Sequence, residues 1–125
     1  MSQDFYLGNP NLKKVGTEIQ FTKHQIQEYL KCKEDPVYFA MNYIKIISLD
    51  EGIVPFKMWD FQQELIESFH EHRFNIAKLP RQTGKSTTCV SYLLHYILFN
   101  DNVNVGILAN KLSTARDLLS RLQLA

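Results

Sequence analysis

The sequence predicts an α/β fold in which N-terminal helices precede the first βαβα of a parallel sheet. Two apolar stretches of strand length, residues 74–79 and 103–109, lie on either side of residues 86–99, whose apolar positions have helical spacing. Strands that alternate with helices in this way are typical of parallel sheets with right-handed crossovers. A chain of 125 residues that is 45% hydrophobic and 12% aromatic has the composition of a globular domain.

Composition and charge exclude several classes of protein. Lys and Arg number 14 against 13 Asp and Glu, a net charge of +1, so any contact with a polyanion must be local. Cys32 and Cys89 lie far apart without a CxxC pattern, which predicts free thiols in a reducing compartment. No stretch approaches the roughly 18 apolar residues of a membrane span, and the polar start does not resemble a signal peptide. We predict an intracellular protein.

The N-terminal region is predicted to contain an irregular arm and two helices. Residues 1–20 contain Gly, Asn and Pro without a sustained period, which indicates the arm. Thr22 and Gln25 have the T-x-x-Q spacing of a capping box, so a helix should begin at Thr22. Asp35 followed by Pro36 predicts the start of a second helix.

The segments that precede the first predicted strand have mixed character. A short strand or hairpin is expected around residues 44–49. Residues 59–70 are predicted to form an amphipathic helix in which Trp59 packs against its neighbours. The apolar face of that helix contains Phe61, Leu65, Ile66 and Phe69.

The last predicted helix reaches Ala125 without a stop signal, and Ser113 or Thr114 is expected to cap its start. Two parallel strands are too few for a buried α/β sheet, which needs both faces covered and usually several strands. We therefore predict that the chain ends in the middle of a domain.

The segment between the first strand and its helix, residues 79–88, has the sequence LPRQTGKSTT. A GK[ST] sequence between a strand and a helix aims backbone N–H groups and the positive helix end at an anion. We predict a phosphate-binding loop, the P-loop, with ATP and Mg²⁺ as cofactors, although Leu79 stands where the first glycine is expected. The predicted fold is accordingly the first part of a P-loop NTPase sheet.

Each position of the predicted loop has a physical role. Gly84 lets the backbone approach the phosphates, Lys85 supplies a positive charge near the β- and γ-phosphates, and the Ser86 hydroxyl is a Mg²⁺ ligand. The remaining predicted nucleotide-binding residues of the loop contribute backbone donors, and these are Gln82, Thr83 and Thr87.

Three further residues have two interpretations each. Arg81 is either a catalytic arginine that reaches the terminal phosphates, together with Lys85, or a solvated loop residue in a salt bridge. Gln62 can pair with an adenine edge while Phe61 stacks on the base, which would select ATP. Alternatively, Phe61 belongs to the core and Gln62 has no contact with a base.

Three sequence segments together resemble a known family. WDFQQELI, FNIAKLPRQTGKSTTCVSYLLHYILF and VNVGILANKLSTARDLL, in this order and spacing, are similar to the N-terminal ATPase region of the large terminase subunit of T-even-like tailed bacteriophages. The resemblance extends upstream through the first two helices and covers nearly all of residues 6–125. It implies that residues 21–125 are the N-terminal part of a P-loop ATPase domain.

The resemblance also implies a biological role. A full-length terminase of this kind docks on the portal, drives double-stranded DNA into the prohead with ATP, and cuts concatemeric DNA with an endonuclease domain. Its partners would be DNA, the portal protein, the small terminase subunit and further copies of itself on the portal. It would act in the host cytoplasm, transiently at the prohead portal, without contact with a membrane.

The resemblance assigns the site residue by residue. Arg81 would be the cis arginine finger, Lys85 and Ser86 the phosphate and Mg²⁺ residues, and Phe61 with Gln62 the adenine motif. Family members continue with an acidic strand (Walker B), a coupling motif and a nuclease domain, none of which occurs before Ala125. We therefore expect the chain by itself to bind ATP without hydrolysing it.

Two other interpretations fit the same residues. A helicase-like translocase also has a glutamine motif upstream of its phosphate loop, although such loops usually keep small residues where this chain has Leu79–Gln82. A non-enzymatic ATP-binding remnant is the third interpretation. A downstream DEAD-like box would favour the translocase. A sharp thermal transition that Mg-ATP shifts upward would argue for a real ATP-binding module, and a featureless melt would argue for a broken fragment.

Overall fold

A computed structural model describes residues 6–9 and 12–125 of the chain. Within these residues, a 3-10 turn at Tyr6–Gly8 is followed by five α-helices and one antiparallel hairpin, so the mixed α/β class is confirmed. The helices are α1 (Lys23–Glu34), α2 (Pro36–Tyr43), α3 (Asp60–Glu71), α4 (Lys85–Phe99) and α5 (Leu112–Leu124). The strands are β1 (Lys45–Ser48) and β2 (Gly52–Pro55).

The predicted caps of the first two helices are confirmed. The Thr22 hydroxyl accepts from the Gln25 backbone N–H at 3.2 Å, and the side-chain Oε1 of Gln25 accepts from the Thr22 backbone N–H at 2.9 Å. The Asp35 carboxylate accepts from the N–H groups of Val37 and Tyr38 at 2.9 and 3.0 Å. These bonds satisfy backbone donors that a helix start leaves without partners, so they define where α1 and α2 begin.

The predicted arm lies partly within the described chain. Tyr6–Gly8 form the 3-10 turn, and residues 9 and 12–20 have mostly turn and irregular conformation. The rest of the arm, residues 1–5 and 10–11, lies outside the described residues. No helix in the described part of the chain is both long enough and apolar enough to cross a membrane.

The core lies where α2, α3 and α4 meet, under the start of the hairpin. Ile66 of α3 and Ala40 of α2 are completely buried, and Ile44 leads from α2 into β1. The hairpin predicted near residues 44–49 is present, with Ile46 paired to Val54. The core therefore packs α2, α3 and α4 against one another.

The structure differs from the prediction at residues 74–79 and 103–109. Neither segment forms a strand, and a parallel P-loop sheet is not present among the described residues. Phe74, Ile76 and Leu108 are almost fully exposed. A strand exists only when its backbone pairs with a neighbour, so an apolar β-branched run by itself does not make one.

The two helices that follow these segments are present with small differences in their starts. The structure begins α4 at Lys85, one residue before the predicted Ser86. The prediction that Ser113 or Thr114 caps the last helix is wrong, because α5 begins at Leu112 and its N-cap makes no side-chain hydrogen bond. Apolar spacing located this helix, while its first turn carries no local capping signal.

Candidate nucleotide-binding site

The starts of α3 and α4 lie at the same end of the packed pair. Phe69 of α3 and Tyr92 of α4 are in ring contact at 5.6 Å, and Ile66 is buried between the helices. At the other end of the contact, Gln62 in the first turn of α3 lies against Thr83, just before α4. Helix packing therefore brings the predicted adenine motif to the predicted phosphate loop.

A cavity of about 410 Å³ opens between these two helix starts and the segment that follows the hairpin. Predicted nucleotide-binding residues from both segments line it, namely Phe61, Gln62, Gln82, Thr83, Gly84 and Thr87. The volume lies within the range of small-molecule and cofactor pockets, which is roughly 300–1,000 Å³. Lys85, Ser86 and Arg81 are not on its wall.

The loop presents unpaired backbone donors at the start of α4. Gly84 is the N-cap with φ of 73°, a left-handed conformation that favours glycine. The backbone N–H groups of Lys85, Ser86 and Thr87 have no backbone acceptor within the described chain. They lie at the positive end of a helix of 15 residues, an arrangement that favours anion binding.

Lys85 closes the loop on itself. Its ammonium group donates to the Leu79 carbonyl oxygen at 2.9 Å, across the turn formed by residues 80–84. Because the contact uses a backbone oxygen, a leucine supplies it as well as a glycine would. An ammonium group has three N–H donors, so two remain available for phosphate oxygens.

Ser86 and Arg81 have fewer contacts than the other predicted residues. The half-buried Ser86 hydroxyl and the exposed Arg81 guanidinium make no hydrogen bond to any described residue, and Arg81 forms no ion pair there. A single hydroxyl does not by itself make a Mg²⁺ site, since Mg²⁺ needs about six oxygen ligands. A Mg²⁺ ion at Ser86 would therefore need further oxygen ligands from a bound phosphate group.

Gln62 is buried and holds two backbone groups. Its side chain is 4% exposed. The carbonyl oxygen accepts from the Trp59 N–H at 2.9 Å, and the amide nitrogen donates to the Thr83 carbonyl oxygen at 3.2 Å. Gln62 is therefore buried and hydrogen-bonded at both ends of its amide.

Trp59 lines the cavity, a position that its place in the predicted helix did not indicate. The prediction that Trp59 packs within the helix is wrong, because it precedes α3 and is 71% exposed beside the cavity. Lys57 also lines the cavity. The sequence signal that could have placed Trp59 before the helix is its spacing of three residues to Gln62. This spacing is typical of an N-cap and the third residue of a helix.

Both cysteines are free thiols, as predicted. Burial raises the pKa of the Cys89 thiol on α4, against the opposing effect of the Lys85 charge. Burial also raises the pKa of Cys32. A raised pKa keeps the Cys89 thiol protonated near neutral pH, which lowers its nucleophilicity.

The site combines a helix start that has unpaired backbone N–H groups with a cavity that Phe56, Trp59 and Phe61 line. That arrangement suits a ligand with a charged end and a flat, weakly polar end. No protein-family model matches the chain. The functional assignment therefore depends on the geometry of the loop and the cavity.

Proposed function

We propose that this chain is the ATP-binding N-terminal part of a phage large terminase subunit. The full-length protein would translocate double-stranded DNA into the prohead with ATP hydrolysis and cleave concatemeric DNA. The observation that carries the proposal is the shared cavity, which joins Phe61 and Gln62 of α3 to Gln82, Thr83 and Gly84 of the loop. An adenine nucleotide needs a site for its base beside a site for its phosphates, and this cavity brings the two predicted sites together.

In this proposal the nucleotide spans the site from the start of α4 to the aromatic wall. The N–H groups of the first turn and the Lys85 ammonium bind the β- and γ-phosphates, and the Ser86 hydroxyl contacts the accompanying Mg²⁺. The base occupies the cavity beside Phe61. Arg81, which is exposed, turns toward the γ-phosphate and stabilises the charge that develops there.

The finer fold belongs to the same proposal. Residues 74–79 and 103–109 become parallel strands of a P-loop sheet once further strands pair with them. Their exposed apolar side chains, such as Ile76 and Leu108, support this, because a sheet would bury them. The proposed partners are DNA, the portal protein, the small terminase subunit and further copies on the portal, in the host cytoplasm.

Calorimetric titration with Mg-ATP tests the nucleotide site. Lys85→Ala removes a charged donor, so we expect the affinity to fall at least about tenfold. Lys78→Ala is the matched control, because it removes an exposed lysine from the segment just before the loop. Equal affinity of the Lys85→Ala variant and the unsubstituted chain would refute the proposed site.

Sequencing the source nucleic acid past codon 125 tests the terminase assignment. We expect an open frame that encodes an apolar strand ending in two adjacent acidic residues, followed by a carboxylate-rich domain. Such acids would hold Mg²⁺ and orient the attacking water. A DEAD-like box with downstream RNA-contact motifs would contradict the terminase assignment and leave only the nucleotide site.

A further inference from the structure

We propose that Gln62 is a positioning residue that holds the phosphate loop in its binding shape, rather than a residue that recognises the base. This inference rests on the proposed function, since it assigns a role within the nucleotide site. It names a determinant of phosphate affinity on α3, outside the loop itself.

The first observation is the pair of bonds made by the Gln62 amide. One bond connects to the Trp59 N–H at the start of α3, and the other to the Thr83 carbonyl, 21 residues further along the chain. Both ends are backbone groups, and the side chain between them is buried. The amide thus ties the residue before Gly84 to a helix that the core holds in place.

The second observation is the close approach of the same amide to Gly84. A Cβ atom at Gly84 would lie 2.5 Å from the Gln62 amide nitrogen. The loop backbone is therefore packed directly against Gln62 at the residue that caps α4. A shift of the Gln62 side chain would therefore move Gly84 and the backbone N–H groups of Lys85, Ser86 and Thr87 that follow it.

The third observation concerns the hydrogen-bonding capacity of the amide. Recognition of adenine by a glutamine uses the amide oxygen and one amide N–H together. In Gln62 the oxygen and one N–H are already bonded to Trp59 and Thr83. A second N–H and a second lone pair remain on the amide, but Gln62 is only 4% exposed, so presenting them to a base requires the side chain to leave its bonds to Trp59 and Thr83. Breaking those bonds would release the loop. Gln62 therefore acts on the phosphates through the loop.

A ligand without a base separates the two roles. Mg-ATP and Mg-tripolyphosphate are titrated by calorimetry into the unsubstituted chain, the Gln62→Met variant and the Gln63→Met variant. Methionine keeps the size of the side chain and removes both bonds. We expect Gln62→Met to lower the affinities for both ligands by the same factor, about tenfold. The half-buried Gln63 makes no side-chain hydrogen bond in the described chain, so Gln63→Met should change neither affinity.

The alternative outcomes are distinct. Loss of ATP affinity with unchanged tripolyphosphate affinity would show that Gln62 recognises the base and would overturn the inference. Unchanged affinity for both ligands would overturn it as well. If the unsubstituted chain binds neither ligand, the proposed function itself fails, and that result does not depend on Gln62.

A second variant covers the case in which Gln62→Met does not fold. Gln62→Glu keeps an oxygen that accepts from the Trp59 N–H and places a carboxylate at a helix start, where negative charge is favoured. It replaces the donor to Thr83 with an acceptor. We expect Gln62→Glu to lower the affinities for Mg-ATP and for Mg-tripolyphosphate by the same factor. Gln63→Glu adds the same charge one residue away and should lower both affinities less. Equal losses in the two glutamate variants would overturn the inference.

Discussion

Acid is expected to destabilise the fold through His95, which is buried on α4. The side chain is 3% exposed and lies against the rings of Phe39 and Phe99, at centroid distances of 5.5 and 4.8 Å. Its Nε2 atom lies 2.7 Å from the Cys32 carbonyl oxygen near the end of α1. Since a carbonyl only accepts, Nε2 carries the proton, and this bond docks α4 onto α1.

Burial is the largest effect on this imidazole and lowers its pKa below the ordinary value of 6.5. The charge of His70 lowers the pKa further, while hydrogen bonds to the backbone of Cys32 and Lys33 and the charge of Asp35 raise it. A lowered folded-state pKa means that the unfolded chain binds more protons. The contribution to stability is therefore present above the unfolded pKa and is lost as the pH falls below it.

The size of the loss follows from proton linkage. The difference is at most one proton, so the slope is at most about 1.4 kcal/mol per pH unit. One pH unit below the unfolded pKa, the loss of unfolding free energy through His95 has an upper bound of about 1.4 kcal/mol. A loss well above this bound would have to include other groups.

Urea denaturation followed by circular dichroism, at about pH 7.5 and about pH 5.5, measures this loss. His95→Gln is the informative variant, because its amide nitrogen lies the same number of bonds from Cα as Nε2 and can donate to Cys32 without titrating. We expect the unfolding free energy of His95→Gln to fall less between these two pH values than that of the unsubstituted chain. His24 is exposed, so His24→Gln should lose as much unfolding free energy as the unsubstituted chain. Equal losses for His95→Gln and the unsubstituted chain would refute the reasoning.

Two further predictions concern stability. Gly84→Ala should lower the unfolding free energy by about 1–2 kcal/mol because of its left-handed φ of 73°, measured by urea denaturation. The loss should be smaller in a Gln62→Ala background, whose short side chain leaves room for the added methyl group, and equal losses would contradict the contact between the two residues. Ile66→Ala should cost about 2–5 kcal/mol, because Ile66 is 0% exposed. The control Ile53→Ala, at an exposed hairpin residue, should cost far less, and similar costs would contradict the assigned core.

Local features of this chain could be predicted from the sequence. The starts of α1 and α2 follow from Thr22, Gln25 and Asp35, because a capping bond joins residues two or three positions apart. The start of α4 after Gly84 follows equally from local signals. The loop candidates were located for the same reason, since a helix start and a positive φ are properties of a short segment.

Long-range partners could not be predicted in this way. The sequence by itself determined the apolar character of residues 74–79 and 103–109, but the tertiary structure decided that neither pairs as a strand. It also decided that Trp59 is exposed and that Gln62 bonds to Thr83. Strand pairing and side-chain partners depend on residues distant in the chain, whose positions helix packing sets and local patterns do not encode.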